Sequence, residues 1–431
     1  MHCITYMIVA FIPSFVFSLA ALPVDRPSSL QQFILTLLYI VNLAIPPYYA
    51  GTFPLTWGMI TSVWTWANGL KMAVWLFCMP QEERQKRPFF GTLFYWRERT
   101  VPGTTGATKT TKTTKAAKTA AETKEQAVVA QPKNKKVVEV VEPDDKLKKQ
   151  KQRDLSVSTT VAKFLRDQFL FDTFDIIITK MDGQQQSIAV FDQAVRMLLF
   201  QAPKSSMAWS SIASSFSLCT LFSIYLQLQL QVTYSIFVVV FSLAHWILPF
   251  LGIKAQWIRT VEVYLEQASD MPPAFDSPWE ATSLRDYWSN RWHQFYNSCF
   301  VRLAYLPLRR LCGNVKILRR TIPVWGVFAL SGIMHEYFLF CTTGSAVYWH
   351  GGAGGWQMLF FMLQPIGIQI GDTVFRPGWP GRLWAIGWMI MLSHLFVIPY
   401  FLSSYFEVVQ IRILPVVFKS LYTVYRSMIS I

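Results

Sequence analysis

Residues 321–342, TIPVWGVFALSGIMHEYFLFCT, form an apolar run of the length that crosses a bilayer, for which a helix needs about 20 residues. Near its middle stand two ionisable side chains, His335 and Glu336. A charged group at the bilayer centre costs about 2.5–3.5 kcal/mol on insertion scales, so such a residue faces a partner or a cavity and marks function. From the residues alone two readings of His335 stay open: a helix-to-helix hydrogen bond, or a catalytic or transport group.

Working outward, apolar runs recur along the whole chain. Apolar residues make up 52% of the 431 positions, aromatics 16%, and mean hydropathy is +0.29. This is the composition of a polytopic membrane protein. The net charge of +15 does not point to nucleic acid, because Lys and Arg gather between the apolar runs, as in cytosolic loops facing anionic lipid. The six cysteines contain no C-x-x-C pair, so neither a zinc site nor a disulfide framework is expected. No metal site is expected elsewhere.

Three runs open the chain, at about 4–22, 31–50 and 55–79. The first is expected as an uncleaved span, since no basic segment precedes it as in a signal peptide. Residues 1–80 are thus an N-terminal membrane region. Residues 81–186 are expected as a cytosolic loop, disordered at 102–153, where Thr, Lys and Ala dominate and aromatics are absent. Residues 187–431 make the third region. There 187–202 reads as an amphipathic helix lying on the membrane, and 207–228 and 232–252 as a tight hairpin of two spans. Beyond the His335 run, the Gly-rich link at 348–356 precedes spans at 356–371, 383–403 and 409–429. Since only hydrogen-bond-satisfied backbone is tolerated in lipid, the expected fold is an all-α, polytopic bundle of about nine spans with cytosolic amphipathic helices. Placing 80–200 and 254–320 in the cytosol by the positive-inside rule puts the N-terminus and residues 343–355 on the luminal side.

A second informative stretch is SLRDYWSNRWHQFYNSCFVRLAYLPLRRL, residues 283–311. Trp288, Trp292, Phe295, Cys299 and Leu303 recur at helical spacing and predict one apolar stripe. His293 and Asn297 lie beside it, among Arg291, Arg302, Arg309 and Arg310. An interfacial helix with lipid-facing arginines fits this pattern equally. Several chemistries fall away. Leu339 stands where H-E-x-x-H needs its second histidine. Neither G-x-S-x-G nor G-x-x-x-x-G-K-[ST] occurs. His245 and His394 read as packing histidines within spans.

Taken together, DYWSNRWHQ (286–294) and SGIMHEY (331–337) resemble the wax-synthase-type branch of the membrane-bound O-acyltransferase superfamily. The resemblance continues through FFMLQPIGIQIGD (360–372) and RLWAIGWMIMLSHLF (382–396), covering roughly 275–405. Ser289-Asn290 stand where Gly-Arg is usual in that branch. The resemblance implies acyl transfer from acyl-CoA, a co-substrate with no bound cofactor, to a hydrophobic alcohol in a bilayer of the endoplasmic-reticulum type. It assigns His335 as general base and His293 as a donor that polarises the thioester carbonyl or holds the developing oxyanion. Trp292, Asn297, Arg291, Arg302 and Arg309 are the expected substrate-binding residues, the arginines toward CoA phosphates. Fungal relatives with the RWHQ variant point to acetyl transfer onto a terpenoid or meroterpenoid hydroxyl in secondary metabolism. The alternatives are a long-chain wax ester synthase, a protein acyltransferase and a proton-coupled transporter using His335 and Glu336. The absence of an internal repeat speaks against the last.

Overall fold

A computed structural model describes residues 2–21, 27–85, 143–180, 183–202, 206–251, 256–269 and 274–405. Among these residues every regular element is helical. The long helices are α1 (Cys3–Ala21), α2 (Ser29–Tyr48), α3 (Leu55–Ala73), α4 (Pro143–Lys180), α5 (Gln184–Leu198), α6 (Trp209–Ile247), α7 (Gln256–Ser269), α8 (Lys316–Ser345), α9 (Trp356–Val374) and α10 (Trp379–Leu402). Five segments are long and apolar enough to cross a membrane: Cys3–Ala21, Ser29–Tyr48, Trp209–Phe250, Lys316–His350 and Trp379–Leu402. Helices α3 and α9, also expected as spans, are more polar, and they bury Thr61, Ser62, Thr65 and Asn68, and Gln357 and Gln364.

Three expectations need correction. The hairpin at 207–252 is instead one helix of 39 residues, about 58 Å long at 1.5 Å per residue. Its midpoint, Gln227 to Gln231, reads as a polar break but holds no Gly or Pro, and glutamine is a good helix former. Tertiary contacts satisfy the amides there: Gln231 donates to Asp167 on α4 at 3.0 Å, and Gln229 accepts from Tyr405 at 3.4 Å. The second correction is α4 itself, which occupies part of the expected loop and reaches into the stretch read as disordered at 143–153. It exposes Leu165, Phe169, Leu170, Ile176 and Ile177, while Asp167, Asp172 and Asp175 are buried on the side packed along α6. That face is legible only once α6 is in place. The third concerns 283–311, whose helix is interrupted, as described below. The expected span at 409–429 and residues 102–142 lie outside the described residues.

Helix α8 is the central element. It packs against α3 on one side and α9 on the other. Close backbone contact sets both packings. Gly51, before α3, and Gly344, near the end of α8, adopt φ of +70° and +76°, and a Cβ on either would lie 2.9 Å from the other's Cα. Such φ values are strained for residues with a side chain. At Gly332 a Cβ would lie 3.3 Å from the Met358 Cα, so the absence of a side chain at 332 favours the close approach of α9 to α8 one turn before His335.

Candidate active site

His335 projects from α8 into a group of rings. It stacks on Phe361 of α9 with centroids 4.7 Å apart, and Phe396 of α10 meets it edge-on at 5.3 Å. Its ring keeps some accessible surface, yet its Nδ1 is buried with no hydrogen-bond partner.

His293 reaches the same region because the helix before it ends. Residues Leu284–Asp286 start helical, Tyr287–Arg291 widen into a π-turn, and Trp292 turns extended with ψ of 156°. Arg291 holds this exit. Its guanidinium donates to Asp286 Oδ2 at 2.8 Å and to the Asp276 and Ser277 carbonyls at 3.2 Å, while its own carbonyl accepts from Asp276 N–H at 2.9 Å. π-turns inside α-helices gather at functional sites. The expected continuous stripe is therefore broken at Trp292, and the break delivers His293. Its ring stacks on Phe295 at 5.3 Å, and its Nδ1, like that of His335, is buried without a partner. Burial lowers its pKa to about 4, leaving the imidazole neutral at ordinary pH.

Trp288 lies between ring neighbours of the two histidines. Its ring lies 6.0 Å from Phe361 and 5.9 Å from Trp292, and its Nε1 donates to Gln364 Oε1 at 3.1 Å. Gln364 is fully buried and belongs to one face of α9 with Gln357 and Phe361, at successive helical turns. Gln357 donates to the Phe396 carbonyl at 3.1 Å, and its Oε1 is a buried acceptor with no hydrogen-bond partner. Sequence reasoning placed Trp288 only in an apolar stripe and passed over Gln364 and Gln357. The available signal was two glutamines seven residues apart, Gln357 and Gln364, within the largely apolar first half of the helix.

Glu336 takes a structural place. Its carboxylate accepts from Tyr348 Oη at 2.7 Å, from Gly355 N–H at 3.0 Å and from Met358 N–H at 2.8 Å. It caps the start of α9, where the first backbone N–H groups lack helical partners. The sequence Gly332-x-x-His335-Glu336 thus does three things in little more than one turn: close approach, site ring and cap.

The remaining expected residues separate. Trp292 joins the cluster, stacked on Tyr287 at 5.2 Å. Arg291 is engaged with Asp286 and two carbonyls, as above. Arg302 is buried and pairs bidentately with Glu83 at 3.0 and 2.8 Å. Asn297 and Arg309 are exposed. His394 packs as expected, with Nε2 2.7 Å from Ser215 Oγ. Among the described residues no group of three or more His, Cys, Asp or Glu side chains is arranged to hold a metal.

Residues 271–363, which contain both histidines, match the membrane bound O-acyl transferase family. Both stretches, 286–294 and 331–337, lie inside that match. The chain is similar to a probable long-chain-alcohol O-fatty-acyltransferase 7 of Arabidopsis thaliana, 30% identical over 130 residues, covering 29% of this chain and 36% of that protein. It is 34% identical over 82 residues to a long-chain-alcohol O-fatty-acyltransferase of Simmondsia chinensis, covering 19% of this chain and 23% of the other. An acetyltransferase, spyB, of Aspergillus fumigatus is 27% identical over 122 residues, covering 27% of this chain and 19% of that protein. The chain therefore spans about a third or less of the length of these relatives.

Proposed function

We propose that this chain is a membrane O-acyltransferase that moves an acyl group from acyl-CoA to the hydroxyl of a hydrophobic alcohol. The observation that carries this reading is the pair His293 and His335, each with a buried, unpartnered Nδ1, in one cluster of aromatic rings within the segment that matches the family. In the proposed reaction the alcohol oxygen attacks the thioester carbonyl carbon and its proton passes to the His335 imidazole. An N–H of neutral His293 stabilises the carbonyl oxygen as charge develops on it. The C–S bond then breaks, and the CoA thiolate leaves and takes up the proton. The surrounding rings exclude water, which would otherwise hydrolyse the thioester. Of the three arginines expected at CoA phosphates, Arg309 is the exposed one without an internal partner, and it keeps that role in this proposal. The enzyme would sit in an endoplasmic-reticulum-type membrane with its basic segments cytosolic.

Within this reading the donor is acetyl-CoA and the acceptor a terpenoid or meroterpenoid alcohol, supported by the similarity to an acetyltransferase. A second reading, fatty-acyl transfer to a long-chain alcohol, is favoured by the printed functions of the two plant relatives. Microsomes bearing the wild-type chain or His335→Ala, supplied with acetyl-CoA or palmitoyl-CoA and either a terpenoid or a fatty alcohol, separate them by product mass. Ester formation at the wild-type rate by His335→Ala would overturn the assignment of the base.

A further inference from the structure

The start of α8 and the helix before it carry a surface of which the proposed chemistry uses only Arg309. Residues 306–320, LPLRRLCGNVKILRR, contain five cations, Arg309, Arg310, Lys316, Arg319 and Arg320, and no acid. The short helix Leu306–Leu311 turns at Gly313 (φ +53°) into α8. Every residue from 309 to 320 is exposed except Cys312, which is half-buried. Interleaved with the cations are large apolar side chains: Leu311 is 81% exposed, Ile317 65% and Val315 51%. Arg320 alone among the five lies near a carboxylate, Asp372 at 3.8 Å. No ion pair is recorded for Arg309, Arg310, Lys316 or Arg319 among the described residues.

Neither half of this pattern suits water. Contiguous apolar side chains exposed in a tight turn mark an interaction site, and unpaired like charges around them repel. Both are relieved by one partner, a bilayer surface with anionic headgroups. The apolar side chains enter the acyl boundary while the cations remain at phosphate level. Position supports it, since the segment runs without interruption into the membrane-crossing helix Lys316–His350, where basic clusters flanking a span bind acidic lipid. We infer that residues 310–319 form a collar that binds anionic phospholipid at the Lys316 end of α8.

The test uses the purified full chain in mixed micelles, titrated with short-chain phosphatidylserine or phosphatidylcholine, reading the shift of the thermal midpoint. Each cation at a membrane surface contributes about five-fold in affinity. Arg310→Gln/Lys316→Gln/Arg319→Gln should therefore weaken the phosphatidylserine response roughly 100-fold, and the phosphatidylcholine response should not change. Half-molar salt should have the same effect on wild type. Inorganic phosphate and free CoA serve as controls for phosphate recognition alone. The collar is refuted if the triple variant responds to phosphatidylserine as wild type does, or if inorganic phosphate or CoA reproduces a shift that the variant loses. Lys316→Gln alone guards against misfolding, with an expected loss of about five-fold; an unchanged response there also counts against the collar. None of these readouts depends on the acyl-transfer reading.

Discussion

Replacing Glu336 tests whether the group beside the proposed base is a cap or a proton carrier. Its carboxylate accepts three hydrogen bonds from Tyr348, Gly355 and Met358. Glu336→Ala leaves those donors without their acceptor in a buried setting, at about 1 kcal/mol each, or roughly 3 kcal/mol in all. Glu336→Gln keeps one carbonyl oxygen for the Met358 N–H. Its amide turns a donor toward Tyr348, whose hydroxyl can reverse, and toward the Gly355 N–H, which cannot. About one bond is lost, or roughly 1 kcal/mol. With an unfolding entropy near 2.1 cal/mol/K per residue, a chain of 431 residues loses about 1 °C per kcal/mol. The midpoint in detergent should then fall by about 3 °C for Ala and about 1 °C for Gln, in that order. A wild-type midpoint in both variants, with acyl transfer abolished in Glu336→Gln, would refute the cap and make Glu336 a proton carrier.

Other outcomes follow from the same geometry. Trp288→Phe removes the donor to Gln364 and strands a buried acceptor, for a loss of about 1–3 kcal/mol, and should raise KM more than Trp292→Phe does. His293 has a folded pKa of about 4 against about 6.5 unfolded, so the unfolded chain binds its proton first as pH falls. Wild type should lose stability relative to His293→Asn below pH 6.5, by about 1.4 kcal/mol per pH unit down to about pH 4, and hold a constant difference above pH 7. A pH-independent difference in unfolding midpoints would contradict the burial of that ring. Arg302→Ala breaks a buried bidentate pair with Glu83 and should cost about 3 kcal/mol. Thermal unfolding should show a smaller loss for Arg302→Lys, which keeps the charge without the fork.

Hydropathy and local chemistry were enough to read α1, α2, α8 and α10, because a spanning helix is written in about 20 consecutive residues and satisfies its own backbone. The two motifs were legible for a similar reason: a histidine in an apolar run is costly wherever the run packs. What spacing could not reveal depended on partners distant in sequence. Gln227 to Gln231 read as a turn until Asp167 and Tyr405 supplied its contacts. Arg302 read as a phosphate ligand until Glu83, 219 positions away, engaged it. The stripe at 288–303 read as one helix, yet Arg291 bonds to Asp286 and the 276–277 carbonyls and turns the chain at Trp292. Periodicity records which side chains prefer apolar surroundings; it is silent on which polar groups find each other. Composition therefore determined a helical membrane chain with His335 at its centre. Only the packing of α8 on α9 and the break at Trp292 brought His293 into the same cluster of rings and set Glu336 against the first N–H groups of α9.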